Sequence, residues 1–130
     1  MTFVDTSAIY ALADVQDPRH AEAREILRSL LAEGQELLTH NYVLVESLAL
    51  VQHRLGSAPA VKLARSAAGF EIVWVDETLH GRAVRELERA GRRASFVDVV
   101  SFLVMKEKGV RAAFAFDPDF SRRGFRLVGQ

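Results

Sequence analysis

Two aspartates stand where strand ends are expected, and their chemistry depends on what lies beside them. Asp5 and Asp117 each follow a short apolar run, residues 3–4 and 113–116. Such runs are typical of parallel strands, whose functional crevice lies beyond their carboxyl ends. Each acid also has a local alternative, because Asp5 could cap the next helix and Asp117, before Pro118, could begin a turn.

Two further carboxylates, Glu46 and Asp98, fall in predicted helices. Glu46 is expected on a buried face with Val43, where an unpaired carboxylate would cost several kcal/mol, so it needs an arginine, a metal or a catalytic role. Asp98 lies three residues after Ser95, which is the spacing of a helix-capping pair, yet it shares a face with Phe102. Capping and coordination by Asp98 are compatible.

Convergence of the four carboxylates would require a cation. At about 4 Å and an effective dielectric near 20, each pair of like charges repels by roughly 4 kcal/mol, which a marginally stable domain cannot carry uncompensated. The chain has no cysteine, and oxygen ligands alone favour Mg²⁺ or Mn²⁺ over zinc. Hydrolysis of a phosphodiester bond by activated water is the natural chemistry of such a site.

The elements that must position these acids alternate along the chain. Strands are predicted over residues 2–4, 36–38, 71–75, 112–116 and 125–128. Helices are predicted over residues 7–13, 18–33, 42–55 after the cap Asn41, 57–68, 77–90 after the cap Asp76, and 96–108 after the cap Ser95. This order predicts an α/β fold, with a mostly parallel sheet flanked by helices on both faces, in a single domain over residues 1–130. Residues 42–51 are apolar almost all round, so we expect burial in the core or at an interface.

Composition excludes several classes of protein. The 130 residues are 49% hydrophobic and carry 17 basic and 17 acidic groups, which is typical of one globular domain. Disulfide frameworks and cysteine-ligated metals are excluded. No apolar stretch approaches the roughly 18 residues of a membrane span, and no secretory signal is visible, so we expect a cytoplasmic protein. The zero net charge limits any nucleic-acid contact to a local surface.

Other catalytic motifs are missing from the sequence. The four histidines have no metal-ligand spacing, and no serine lies in G-x-S-x-G. The glycines form neither a phosphate loop nor a dinucleotide fingerprint. His40, just past a predicted strand, is the one histidine that could lie near the crevice.

The acidic motifs together resemble those of a known family. Val-Asp-Thr-Ser at residues 4–7, Glu46 in an apolar helix, Ser-Phe-Val-Asp at 95–98 and Phe-Asp-Pro-Asp-Phe at 116–120 are similar to PIN domains. More narrowly, their order and spacing resemble the VapC toxins of bacterial and archaeal toxin-antitoxin pairs, over essentially the whole chain.

The resemblance implies a Mg²⁺-dependent endoribonuclease, with Mn²⁺ as a substitute. The implied catalytic acids are Asp5, Glu46, Asp98 and Asp117, with Asp5, Asp98 and Asp117 as metal ligands and Thr6, Ser7 and Asp119 in support. Relatives use either acid of the last motif, and we favour Asp117 because it ends the strand directly. Implied partners are structured RNA, often transfer RNA, a second copy of the chain and a VapB-like antitoxin. The alternative is a non-catalytic RNA- or protein-binding module on the same fold.

Two groups of arginines could hold RNA. One lies on the helix after Asp76, within an arc of about 100° opposite Leu79; its members are Arg82, Arg85, Arg89, Arg92 and Arg93. The other follows the last acidic motif and contains Arg122, Arg123 and Arg126. Ordinary ion pairs on solvated faces are the alternative for both groups.

Overall fold

A five-stranded sheet, with every strand parallel to its neighbours, forms the centre of the molecule. The computed structural model describes residues 1–129; Gln130, which the predicted domain includes, and the side chain of Arg92 lie outside the described residues. The strands are β1 (Thr2–Val4), β2 (Leu37–His40), β3 (Glu71–Val73), β4 (Ala112–Phe114) and β5 (Arg126–Leu127), in the spatial order β3-β2-β1-β4-β5. The predicted α/β class is confirmed.

Helices connect consecutive strands and cover the sheet. They are α1 (Thr6–Ala13), α2 (His20–Ala32), α3 (Asn41–Leu55), α4 (Ser57–Ser66), α5 (Glu77–Ala90), α6 (Phe96–Lys108) and α7 (Asp119–Arg122), with 3₁₀ turns at Ala67–Gly69 and Gly91–Arg93. Because crossovers between parallel strands are right-handed, the helices between β1 and β3 lie on one face and those after β3 on the other. Within residues 1–129 we find no helix with the length and apolarity needed to cross a membrane.

The direction of the chain reverses beside β1, and this reversal creates a crevice. From β1 the chain moves outward to β2 and β3, then crosses back to β4 on the other side of β1. The register pairs Val4 with Phe114 and His40 with Val73. In doubly wound sheets, ligands bind at such a switch point beyond the carboxyl ends of the strands. The carboxyl ends of β1 and β4 therefore face the expected site.

Several predicted boundaries are wrong for local reasons. The predicted cap Asn41 is the first residue of α3; the cap is His40, whose Nδ1 accepts a hydrogen bond from the Val43 backbone N–H. The Asn41 side chain instead accepts from the backbone N–H of Val75, at 2.6 Å. The predicted strand at 36–38 lies one to two residues later, because β2 continues to His40. Helix α7 was not predicted, since its single turn has no periodicity to detect.

Helix α3 is not buried all round, although its composition predicts burial. Its fully buried stripe consists of Val43, Ser47 and Val51, which lie four residues apart and face the core. Val45 is 64% exposed, and Glu46 is exposed as well. The expectation that Glu46 lies on a buried face is therefore wrong, because residues 46 and 49 lie beside the buried stripe rather than within it.

The junction between α3 and α4 depends on one glycine. Gly56 has φ 101° and ψ 175°, a conformation open essentially to glycine alone, and its backbone N–H closes the last turn of α3 on Gln52. Gly69 lies at a second chain reversal without a positive φ, and a Cβ there would meet nothing within 4 Å.

We expect Gly56→Ala to lower the free energy of unfolding by about 1–3 kcal/mol, because alanine is strained in this conformation. Gly69→Ala, the matched control, should change it by less than about 0.5 kcal/mol. Urea denaturation of the two variants measures both values. Equal effects of the two substitutions would contradict the assignment of strain to Gly56.

Candidate active site

Asp5 is held by its own helix at the end of β1. It is 5% exposed and caps α1, because its Oδ2 accepts hydrogen bonds from the backbone N–H of Ser7 at 3.2 Å and from the Ser7 hydroxyl at 2.7 Å. Its own N–H donates to the carbonyl of Phe114 in β4. The predicted capping role is confirmed, and it leaves carboxylate lone pairs free for a second partner.

The hydroxyls beside Asp5 join the two central strands. Ser7 Oγ accepts from the backbone N–H of Phe116 at 3.0 Å while its proton goes to Asp5, so one side chain connects the ends of β1 and β4. The Thr6 hydroxyl accepts from Ser47 of α3 at 3.3 Å. These two hydroxyls therefore fix the backbone around Asp5 rather than pointing freely into solvent.

Three carboxylates converge where β4 ends and α6 begins. Oxygen atoms of Asp98, Asp117 and Asp119 all lie within 4.8 Å of one another, and all three side chains are half-buried. Asp117 Oδ1 also accepts from the backbone N–H of Asp119 at 2.9 Å, which folds the turn after β4 inward. Both candidate acids of the last motif therefore lie in the cluster. We call these three residues and Asp5 the acidic cluster.

The electrostatics of the acidic cluster show that its charges interact. Desolvation, followed by the charges of Asp5 and Asp117, raises the pKa of Asp98 to about 7. Burial also raises the pKa of Asp5, although hydrogen bonds from Ser7 oppose the rise. Among the described ion pairs, only Asp119 has a guanidinium partner, Arg122 at 2.6 Å. For Asp5, Asp98 and Asp117, the described side chains include no such partner.

Glu46 lies near enough to the acidic cluster for its charge to act on two of its members. It is exposed, one turn after Val43 near the start of α3, and its charge contributes to the raised pKa values of both Asp5 and Asp98. An arginine partner, one of the alternatives considered for Glu46, is absent from the ion pairs of the described side chains. This carboxylate is therefore exposed to solvent rather than buried.

Helix α5 carries three of the five arginines of the first group, and two of these three form ion pairs; Arg92 and Arg93 lie beyond its end, in the 3₁₀ turn Gly91–Arg93. Leu79 and Ala83 are buried on the opposite face, as the pattern predicts. Arg82 pairs with Glu107 of α6, and Arg89 pairs with Glu86 at 3.0 Å. Arg85 is exposed. The side chain of Arg92, also in the predicted arc, lies outside the described residues.

Two arginines of the second group, Arg122 and Arg123, line a cavity beside the acids, whereas Arg126 lies in β5 and is not among its lining residues. A cavity of about 550 Å³ is bounded by Arg93, Ala94, Phe102, Asp119, Arg122 and Arg123. The Arg123 guanidinium lies 5.0 Å from the centroid of the Phe102 ring, which fixes it over an aromatic face. The sequence pattern groups Arg93 with the arginines of α5. Its place beside Arg122 and Arg123 could not be predicted, because contacts between distant segments leave no signal in the local sequence.

A second, larger cavity lies away from the acidic cluster. It measures about 1180 Å³, and apolar side chains of α1, α2 and α4 form most of its wall, including Leu12, Leu27, Leu31 and Leu63. Its charged lining groups, Glu36, Lys62 and Glu71, do not form a carboxylate cluster. Size alone would select this cavity as the active site, but its chemistry is that of an apolar binding surface.

The chain matches the family model of the PIN domain over residues 2–126. Two curated relatives, both described as "23S rRNA-specific endonuclease VapC20", come from Mycobacterium tuberculosis strains CDC 1551 / Oshkosh and ATCC 25618 / H37Rv. Each is 39% identical over 128 residues, covering 96% of this chain and 95% of the relative.

Solved structures agree with the sequence comparison. The crystal structure of M. tuberculosis VapC20, described as a "Sarcin-Ricin loop cleaving toxin", superposes with a TM-score of 0.85 at 38% identity and 96% coverage of both chains. VapBC2 from Rickettsia felis, bound to a promoter DNA fragment, matches with a TM-score of 0.67 at 16% identity, covering 97% of this chain and 96% of that one, and shows the fold alone. The predicted resemblance is confirmed, and the chain belongs to the PIN domain family.

Proposed function

We propose that this protein is a divalent-metal-dependent endoribonuclease that hydrolyses phosphodiester bonds at the acidic cluster, as a VapC-like toxin. The observation that supports it most is the convergence of Asp98, Asp117 and Asp119 beside Asp5, at the carboxyl edge of the sheet. Carboxylates that raise one another's pKa at a switch point are typical of functional sites.

The donor set of the acidic cluster fits a hard divalent cation. All its side-chain donors are carboxylate oxygens, and three of the four acids have no guanidinium or ammonium within ion-pair distance among the described contacts. Mg²⁺ and Mn²⁺ prefer such oxygen ligands. We assign Asp5, Asp98 and Asp117 as the residues that would hold the ion, with Asp119 in support.

When bound, such an ion supplies positive charge for the attacking water and for the charge that develops on the phosphate. Side chains of the protein activate the water and keep the acids in position. Glu46, solvated and close to the cluster, orients the water or accepts its proton. Ser7 keeps Asp5 fixed between the ends of β1 and β4, so that the carboxylate does not reorganise during the reaction.

The arginine-lined cavity supports contact with the RNA backbone. Arg93, Arg122 and Arg123 surround it, and Asp119 belongs both to its wall and to the acidic cluster. Guanidinium groups suit phosphate because their donors match two oxygens at once. A phosphate next to the scissile one would occupy this cavity. Arg82, Arg85 and Arg89 are weaker candidates, because they are not among the residues that line this cavity.

Similarity to VapC20 favours a ribosomal RNA stem-loop over transfer RNA as the substrate. The two relatives described as "23S rRNA-specific endonuclease VapC20" are each 39% identical to this chain over 96% of its length. The predicted antitoxin fits the apolar cavity of α1, α2 and α4, whose wall suits the apolar face of a helical segment. A VapB-like antitoxin seated there would bind without competing for the metal ligands. The predicted homodimer stays a prediction.

We expect Asp98→Asn to remove a pH-dependent cost of folding. The folded pKa of Asp98, about 7, lies above the ordinary value of 3.8, so the folded state binds more protons than the unfolded state between these two pH values. Without metal, the wild type should therefore lose stability relative to Asp98→Asn as the pH rises from about 4 to 7. At pH 8, Mn²⁺ should stabilise the wild type and not the variant. Thermal unfolding with EDTA or Mn²⁺ measures this, and parallel pH profiles would contradict it.

We expect Asp117→Asn to lower RNA cleavage by about 100-fold, because a metal ligand loses its charge. Asp76→Asn is the matched control, since Asp76 also follows a strand and caps a helix but lies outside the acidic cluster. Cleavage of a ribosomal stem-loop and of a transfer RNA, each with Mg²⁺, Mn²⁺ or EDTA, provides the measurement. Wild-type RNA binding without metal-dependent cleavage would favour the non-catalytic alternative.

We expect Arg123→Gln to weaken RNA binding and to lower the slope of log affinity against log salt by about one, because one phosphate contact is lost. Mn²⁺ affinity should stay unchanged. Arg28→Gln serves as the control, because Arg28 is an exposed arginine of α2 that pairs only with neighbouring Glu25. Fluorescence anisotropy with a non-cleavable RNA gives both slopes, and identical slopes would exclude Arg123 from the RNA surface.

A further inference from the structure

A buried histidine connects the elements that carry the proposed catalytic acids. His40 is fully buried at the end of β2, beside the Phe3 ring of β1 at a centroid distance of 5.7 Å. Its Nδ1 accepts from the backbone N–H of Val43, at 3.3 Å, in the first turn of α3. Its Nε2 lies 2.9 Å from the hydroxyl of Ser101 in α6.

The hydrogen bonds around His40 define one tautomer. Because Nδ1 accepts a hydrogen bond from the Val43 backbone N–H, the neutral ring carries its proton on Nε2, and this N–H donates a hydrogen bond to Ser101 Oγ. The Ser101 hydroxyl then donates to the Val97 carbonyl at 3.0 Å. Burial lowers the pKa of His40 to about 4, so the ring is neutral at neutral pH. Every polar atom of this chain of hydrogen bonds has a partner.

Each end of this chain lies one helical turn from a proposed catalytic acid. Glu46 follows Val43 by three residues in α3, and Asp98 precedes Ser101 by three residues in α6. Residues three apart lie on neighbouring positions of a helix face. The two helices come from different crossovers, and neither the Asp5 cap nor the Ser95 cap joins them.

We propose that His40 is a positioning residue, which sets α3 and α6 against the sheet so that Glu46 and Asp98 face Asp5 across one crevice. The proposal rests on the proposed nuclease function, because alignment of these acids matters only if they act together. Ligand-orienting groups that do not touch a metal typically change its affinity by about 10- to 100-fold when they are removed.

Two substitutions separate the two hydrogen bonds of His40. His40→Asn retains an acceptor near the position of Nδ1 and can still cap α3, but it cannot reach Ser101. His40→Gln places an amide near the position of Nε2 and retains the bond to Ser101. Ser101→Ala breaks the same bond from the other side, and Val51→Ala controls for stability, because Val51 is a fully buried residue of α3 in the separate cluster with Tyr10.

Calorimetric titration with Mn²⁺ tests the proposal in the intact protein. We expect His40→Asn and Ser101→Ala to weaken Mn²⁺ binding by about tenfold, and His40→Gln to restore it to within about twofold of the wild type. Val51→Ala should lower the unfolding temperature without changing Mn²⁺ affinity. Nitrogen NMR of the wild type at pH 7 should show His40 protonated on Nε2 alone.

The outcomes distinguish this proposal from the proposed function. A wild type that binds Mn²⁺ while Ser101→Ala binds it equally well would overturn the positioning role and leave the nuclease intact. A wild type that does not bind Mn²⁺ would overturn the proposed function itself. If the His40 variants do not fold, the Mn²⁺ affinity of Ser101→Ala and the His40 tautomer of the wild type still test the positioning role, because neither measurement uses a His40 variant.

Discussion

Repulsion between carboxylates is the constraint on which the site depends. Burial, and after it the charges of Asp5 and Asp117, raises the pKa of Asp98 to about 7, well above the ordinary value for an aspartate. A fold of marginal stability retains such an arrangement only if other interactions hold the acids in place. The protein therefore stores unfavourable electrostatic energy at one edge of its sheet, and a cation would release it.

Ordinary local interactions hold these charges together. Asp5 caps α1, the Asp117 carboxylate closes the turn after β4, and the Ser95 cap places Asp98 in the first turn of α6. Each acid is thus held by a backbone interaction that needs no metal. The carboxylates of Asp5 and Asp117 use only some of their lone pairs for these backbone interactions, so the remaining lone pairs are free to hold a cation.

Sequence periodicity predicts the helices of this fold well, and α5 begins and ends where its Asp76 cap and the following glycine indicate. The strand-end acids are predictable because parallel strands align their carboxyl ends. Contacts between residues far apart in the sequence cannot be predicted in this way. The exposure of Glu46 depends on how α3 rotates against α1, and the partnership of His40 with Ser101 spans 61 residues. Asparagine is a common cap residue and histidine a rare one, so the sequence indicates Asn41 as the cap of α3 rather than His40.

Anomalous scattering from crystals grown with Mn²⁺ tests the central claim most directly. The account predicts a strong peak among the carboxylates of Asp98, Asp117 and Asp119, with Asp5 facing it and Arg122 free to leave Asp119. A map in which Mn²⁺ binds elsewhere, or in which each of these acids is neutralised by its own guanidinium, would contradict the account.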